Sequence, residues 1–119
     1  METLNIFRTA ENKLTLPAGT TLFERGDAAE SMFALLEGRL SVEIDGTVVE
    51  EVEPGGIVGE MALVRSGTPR SATVKAAVDS VVVPVDEAEF LRHVHSTPFF
   101  ALQVLRITAE RLRRTNELL

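Results

Sequence analysis

The sequence predicts a mainly β domain, a small all-β roll or sandwich, followed by C-terminal helices. Three observations lead there. From Lys13 to about Val85, short β-type runs are broken by Gly, Pro or Asp every six to ten residues. An Asp-Gly pair, Asp45-Gly46, joins two alternating runs in the manner of a two-residue hairpin. After Val85 the apolar residues recur at helical spacing instead.

The runs that read as strands are Lys13–Leu16, Thr21–Phe23, Ser31–Leu36, Arg39–Ile44, Thr47–Val52, Ser71–Ala76 and Ser80–Val85, with a short extra one near Gly56–Val58. Turn chemistry separates them. Pro17–Gly19, Arg25–Asp27 and Glu37–Arg39 each place a glycine where the chain must reverse. The Arg25-Gly26-Asp27 tripeptide reads as a plain turn before a strand, not as an adhesion signal.

Two helices are expected beyond the roll. Asp86, with Glu87 and Glu89 in the first turn, caps a short helix through about Val94. Thr97 as N-cap and Pro98 at the first helical position then open a long helix to near Leu119. On a helical projection Gln103, Arg106, Glu110, Arg113, Arg114 and Glu117 gather on a charged arc of roughly 100°. The apolar arc holds Phe100, Ala101, Leu102, Val104, Leu105, Ile107, Thr108, Ala109, Leu112, Leu118 and Leu119 and spans roughly 200°, more than one packing surface requires. Either this helix lies deep between the sheet and the shorter helix, or one flank covers the roll while the other pairs with a second copy. Arg111 falls inside the apolar arc, where it either snorkels outward or meets an anion or aromatic ring beneath the helix.

Composition bounds the function. At 119 residues one domain is expected, with the roll over about 13–85 and the helices over 86–119. Twelve basic against eighteen acidic residues give −6, which repels nucleic acid and anionic membrane, so an anionic ligand needs a local device. The absence of cysteine excludes disulfides, thiolate catalysis and cysteine-held metals, and no apolar run approaches the roughly 20 residues that span a bilayer. A cytoplasmic protein is expected, and the Met1 start favours a stand-alone one. His93 and His95, two apart, project some 200° from each other on a helix and are read as surface or core-edge residues, with no metal site expected. No nucleophile elbow or carboxylate pair suggests an enzyme.

The local device is sought in Gly56–Val74, "GIVGEMALVRSGTPRSATV". A Walker loop would need a lysine that is absent, and a dinucleotide fold would need a full helix where only Glu60–Val64 has helical character. Gly59 allows close backbone approach, the turn beginning at Glu60 offers amide N–H groups, and Arg70 and Ser71 offer a guanidinium fork and a hydroxyl to a phosphate. Glu60 suits sugar hydroxyls, which a carboxylate accepts, whereas it repels phosphate oxygens.

These residues, with "FERGDAAESMFALLEGRLSVEI" before them, resemble the cyclic nucleotide-binding domain shared by Crp/Fnr-type regulators, cyclic-nucleotide-dependent kinases and cyclic-nucleotide-gated channels. The resemblance covers roughly residues 14–114 and is most specific at a phosphate-binding cassette, Gly-Glu-(apolar)-Ala-Leu followed by Pro-Arg-Ser/Thr-Ala. It implies an eight-stranded antiparallel β-roll with flanking helices, of the jelly-roll type. It also implies that Glu60 accepts from the ribose 2′-hydroxyl and that Gly59, Met61 and Ala62 line the pocket through their backbone. Arg70 would neutralise the cyclic phosphate with Ser71 nearby, Ala72 would leave room beside it, and Val58 and Val74 would form apolar walls. Relatives carry a base-contacting lid residue on the last helix, for which Arg111 is the candidate here. Ser71, where guanine-preferring relatives often have Thr, leans the expectation towards cyclic AMP, with cyclic GMP as the other ligand.

The resulting expectation is a non-enzymatic module with no cofactor. It takes a cyclic nucleotide and reports by moving its C-terminal helices against a second copy or another protein. The competing expectation is a ligand-free dimerisation or interaction module that has kept the fold and lost the ligand.

Overall fold

The computed structural model describes residues 6–65 and 67–117. In chain order the elements are β1 Leu14–Leu16, β2 Thr21–Phe23, β3 Ser31–Glu37, β4 Leu40–Ile44, β5 Thr47–Val52, β6 Ile57–Val58, α1 Met61–Val64, β7 Thr73–Ala76, β8 Ser80–Asp86, α2 Glu87–Ser96 and α3 Phe99–Glu117. The strands form two antiparallel four-stranded sheets, β1-β8-β3-β6 and β2-β7-β4-β5. The described residues are therefore mainly β, with eight strands and C-terminal helices, as the resemblance implied.

β3 shows why both layers hold. Its residues alternate in direction, and both directions are buried. Phe33 and Leu35 face the inner core between the sheets, with Leu16, Leu40, Val52, Val58, Val74, Ala76 and Val82. Met32 and Ala34 face the opposite way, into a second core with Phe7, Ile57, Val83, Val85, Phe100 and Val104, where α2 and α3 cover the sheet. A strand clad on both faces reads as a continuous apolar run, which is the text of Met32–Leu36.

The hairpin expected at Asp45-Gly46 joins β4 to β5, pairing Ile44 with Thr47. Both turn residues have positive φ, 53° and 80°, the type I′ geometry whose twist matches the flanking strands. Asp86 caps α2 by accepting from the Glu89 N–H at 2.8 Å. That helix runs past Val94 to Ser96, because the Thr97 N–H closes a last turn onto the His93 carbonyl at 2.8 Å. α3 then starts at Phe99, one residue after the expected Pro98. Leu118 and Leu119, assigned to its apolar arc, lie outside the described residues.

α3 does not lie deep in the molecule. Phe100 and Val104 are buried against the sheet, whereas Leu102, Leu105 and Leu112 are 41%, 64% and 61% exposed. One flank covers the roll and the other is open. β7 also begins later than expected, at Thr73 instead of Ser71, because the Arg70 backbone is held elsewhere: Gly26 N–H donates to its carbonyl at 2.8 Å and its own N–H donates to the Asp27 carbonyl at 2.9 Å. The Arg25–Asp27 turn is thus a clamp on Arg70.

Candidate functional site

One cavity, of about 550 Å³, opens between the β2-β7-β4-β5 sheet, the α1 segment and α3. Every residue singled out from the sequence borders it: Val58, Gly59, Glu60, Met61, Ala62, Arg70, Ser71, Ala72, Val74 and Arg111. Its apolar walls are Val58, Val74 and Ala72, all buried.

Arg70 is 8% exposed, an uncommon degree of burial for a guanidinium. Its Nη2 donates to the Ser31 carbonyl at 2.7 Å and its Nη1 to the Gly59 carbonyl at 3.3 Å. Its Cζ lies 4.1 Å from the centroid of Phe23, a cation–π stack. Nε is buried with no hydrogen-bond partner among the described residues. Burial lowers the Arg70 pKa from its ordinary value, and the charge of Asp27 opposes that shift. All of its hydrogen bonds go to neutral acceptors, so its positive charge is available to an anion.

Gly59 makes this placement sterically possible. Its φ of +76° is left-handed, and a Cβ there would lie 2.5 Å from Arg70 Nη1. The turn beyond it is only partly open: the Ala62 N–H donates to the Gly59 carbonyl at 3.2 Å, and Leu63 N–H to that of Glu60 at 3.0 Å. The Ala62 amide, expected to face an anion, is already taken by the turn.

Glu60 is 6% exposed and is paired with Arg111. Arg111 Nη1 reaches both Glu60 oxygens, at 2.7 and 3.0 Å. Its Nε donates to Glu50 at 2.8 Å and its Nη2 to the Ile57 carbonyl at 2.8 Å. Burial alone would lower the Arg111 pKa, but the Glu60 charge and the hydrogen bond and charge of Glu50 outweigh it, and the pKa is raised. Of the two fates open to Arg111 in the sequence, it meets an anion under the helix. That anion belongs to the protein, and the Nε, Nη1 and Nη2 bonds of Arg111 tie α3 to Glu50, Glu60 and the Ile57 carbonyl.

The helix presents other residues to the cavity. Thr108, Leu112 and Thr115 border it together with Arg111, a stripe at i, i+3, i+4 and i+7. That spacing was visible in the sequence and could have nominated all four. Phe23 and Glu50 carried no comparable signal, since their partners are remote in the chain. Among the described residues no cluster of His, Asp and Glu could hold a metal ion. His93 packs edge-on against Phe7, ring centroids 4.9 Å apart, as a core-edge residue.

A family model described as the cyclic nucleotide-binding domain matches residues 13–97. This chain belongs to that family. Among curated relatives, the Pycsar effector protein XpPycTIR of Xanthomonas perforans is 36% identical over 102 residues, 86% of this chain and 34% of the effector. A cyclic nucleotide-gated potassium channel of Mesorhizobium japonicum is 40% identical over 95 residues, 80% of this chain and 26% of the channel. The chain thus spans about a third or less of these proteins. A structure solved for a cyclic-GMP-dependent signalling pathway that regulates bacterial phytopathogenesis superposes with a TM-score of 0.79 at 29% identity, covering 95% of this chain and 93% of that one. The catabolite activator protein of Thermus thermophilus shares the fold at a TM-score of 0.78 and 22% identity, over 97% of this chain and 56% of its own. No helix among the described residues of this cyclic nucleotide-binding domain is long and apolar enough to cross a membrane.

Proposed function

We propose that the chain is a non-enzymatic regulatory domain of the cytoplasm that binds a cyclic nucleotide, cyclic AMP or cyclic GMP, without a cofactor. The observation that carries the reading is Arg70. It is a buried guanidinium with an unpartnered Nε and neutral hydrogen-bond partners, on the wall of a cavity whose other wall carries a buried carboxylate. A ligand with a phosphate next to a ribose hydroxyl satisfies both walls. In this reading Arg70 and Ser71 take the phosphate, Glu60 takes the 2′-hydroxyl, and Val58, Ala72 and Val74 pack on the sugar. The base extends towards Thr108, Leu112 and Thr115. The relatives that act in cyclic-nucleotide signalling support the ligand class.

Signalling follows from the elements that share the cavity. Because Arg111 ties α3 to Glu60, a ligand that alters Glu60 alters the hold on α3. The partner we infer for α3 is a second copy of the chain. Leu102, Leu105, Ala109 and Leu112 recur at the 3-4-3 spacing of a coiled-coil seam and are exposed. Parent chain at twice the monomer mass in solution, and monomeric Leu105→Glu and Leu112→Glu variants, are expected; a monomeric parent removes the dimer.

A second reading is a domain that keeps this fold as a ligand-free interaction module. It draws on the fact that both Glu60 oxygens are already engaged by Arg111. Titration calorimetry with cyclic AMP and cyclic GMP, alongside mass analysis of nucleotide co-purifying with the protein, separates the two. Affinity of about micromolar or tighter for either nucleotide supports the first reading, and no binding to either supports the second.

A further inference from the structure

The cavity contains a second carboxylate whose role the nucleotide reading does not use. Glu50 projects from β5 with its side chain 15% exposed and holds Arg111 Nε at 2.8 Å, while Arg114 stands 3.8 Å from its other oxygen. With Nε on Glu50 and Nη2 on the Ile57 carbonyl, the plane of the Arg111 guanidinium is fixed before it meets Glu60.

We propose that Glu50 is a positioning residue for Glu60, setting the orientation and the residual charge with which Glu60 meets a ribose 2′-hydroxyl. The proposal rests on the cyclic-nucleotide reading. Two physical effects act in the same direction. A carboxylate oxygen has two acceptor sites, so each Glu60 oxygen can keep its bond to Nη1 and still accept a hydroxyl, provided the guanidinium stays in place. One guanidinium shared by two carboxylates also neutralises each only in part, so Glu60 remains a strong acceptor. Without Glu50, Arg111 loses its anchor at Nε and its charge falls wholly on Glu60. Arg70 is untouched by either change, since its partners are Ser31, Gly59 and Phe23. The effect is therefore confined to the ribose.

The test compares the better-binding of cyclic AMP and cyclic GMP with its 2′-deoxy counterpart by calorimetry, in the parent, Glu50→Gln and Glu50→Ala. Gln keeps an acceptor oxygen and loses the charge; Ala loses both. The parent is expected to prefer the ribose form by about tenfold, the worth of a hydrogen bond to a charged group. That preference should shrink in Glu50→Gln and approach one in Glu50→Ala, with the affinity for the 2′-deoxy ligand unchanged. Equal loss of both ligands, or an undiminished preference in both variants, overturns the proposal and leaves the nucleotide reading standing. A parent that binds both forms equally removes the ribose role of Glu60 and this proposal with it. A parent that binds neither overturns the nucleotide reading itself, and the proposal falls with it.

Discussion

Arg70 and Arg111 border the same cavity and are held in opposite ways. Arg70, just before β7, is surrounded by two carbonyl oxygens and an aromatic face, none of which cancels its charge. Arg111, on α3, is surrounded by two carboxylates and one carbonyl, and its charge is cancelled within the protein. The pKa directions follow the same division, lowered for Arg70 chiefly by burial and raised for Arg111 once its carboxylates outweigh burial. A buried arginine with neutral partners receives an anion; one with ionised partners is a tether.

That contrast breaks most visibly in stability. Arg111→Met takes the guanidinium from both Glu50 and Glu60, leaving Glu50 only the more distant Arg114 at 3.8 Å, and removing one member of a buried ion pair costs about 3–5 kcal/mol. Arg70→Met should cost less, because it removes hydrogen bonds to two neutral carbonyls and leaves no buried carboxylate behind. Denaturant melts of the two variants decide it: equal losses would make Arg70 a tether as well.

Gly59→Ala sharpens the Arg70 side. The new Cβ would both strain a φ of +76° and push into Nη1, 2.5 Å away. The strain costs about 1–2 kcal/mol of stability. Nucleotide affinity should weaken by about tenfold as the guanidinium shifts. Unchanged affinity, measured by calorimetry, would show that the placement of Arg70 against Gly59 does not matter to binding.

The smallest effect lies away from both arginines, at His93. Burial, followed by the charge of Arg92 and opposed by Glu89, lowers its pKa from 6.5, so the unfolded chain binds the proton more readily than the folded one. Its contribution to stability is complete above pH 6.5 and is lost as pH falls from there towards the lowered folded value. Melting temperatures across that range should decline slightly in the parent and less in His93→Gln. A parallel decline in both would assign the effect to another group.

Much of this was legible in the sequence because it is local. The Asp45-Gly46 hairpin, the Asp86 cap and the β3 run each follow from a few neighbouring residues, and the cavity-lining residues 59–62 and 68–72 carry their residue types in order. What was not legible is long-range. Glu50 finds Arg111 across 61 positions, and Arg70 finds the Ser31 carbonyl across 39, distances over which no periodicity or spacing speaks. The Arg25–Asp27 turn was read correctly as a turn, but its hold on the Arg70 backbone depends on the β2–β7 pairing. Arg111 was placed correctly inside the apolar arc, and only the fold could name its partner.

The central claim is that Arg70 is the anion receptor of the cavity, and calorimetry of the parent and Arg70→Ala with the same cyclic nucleotide tests it most directly. Loss of the charge-assisted bonds to phosphate is expected to weaken binding by about 100-fold or more, in a variant that melts as a folded protein. A folded Arg70→Ala that binds as tightly as the parent would contradict the account.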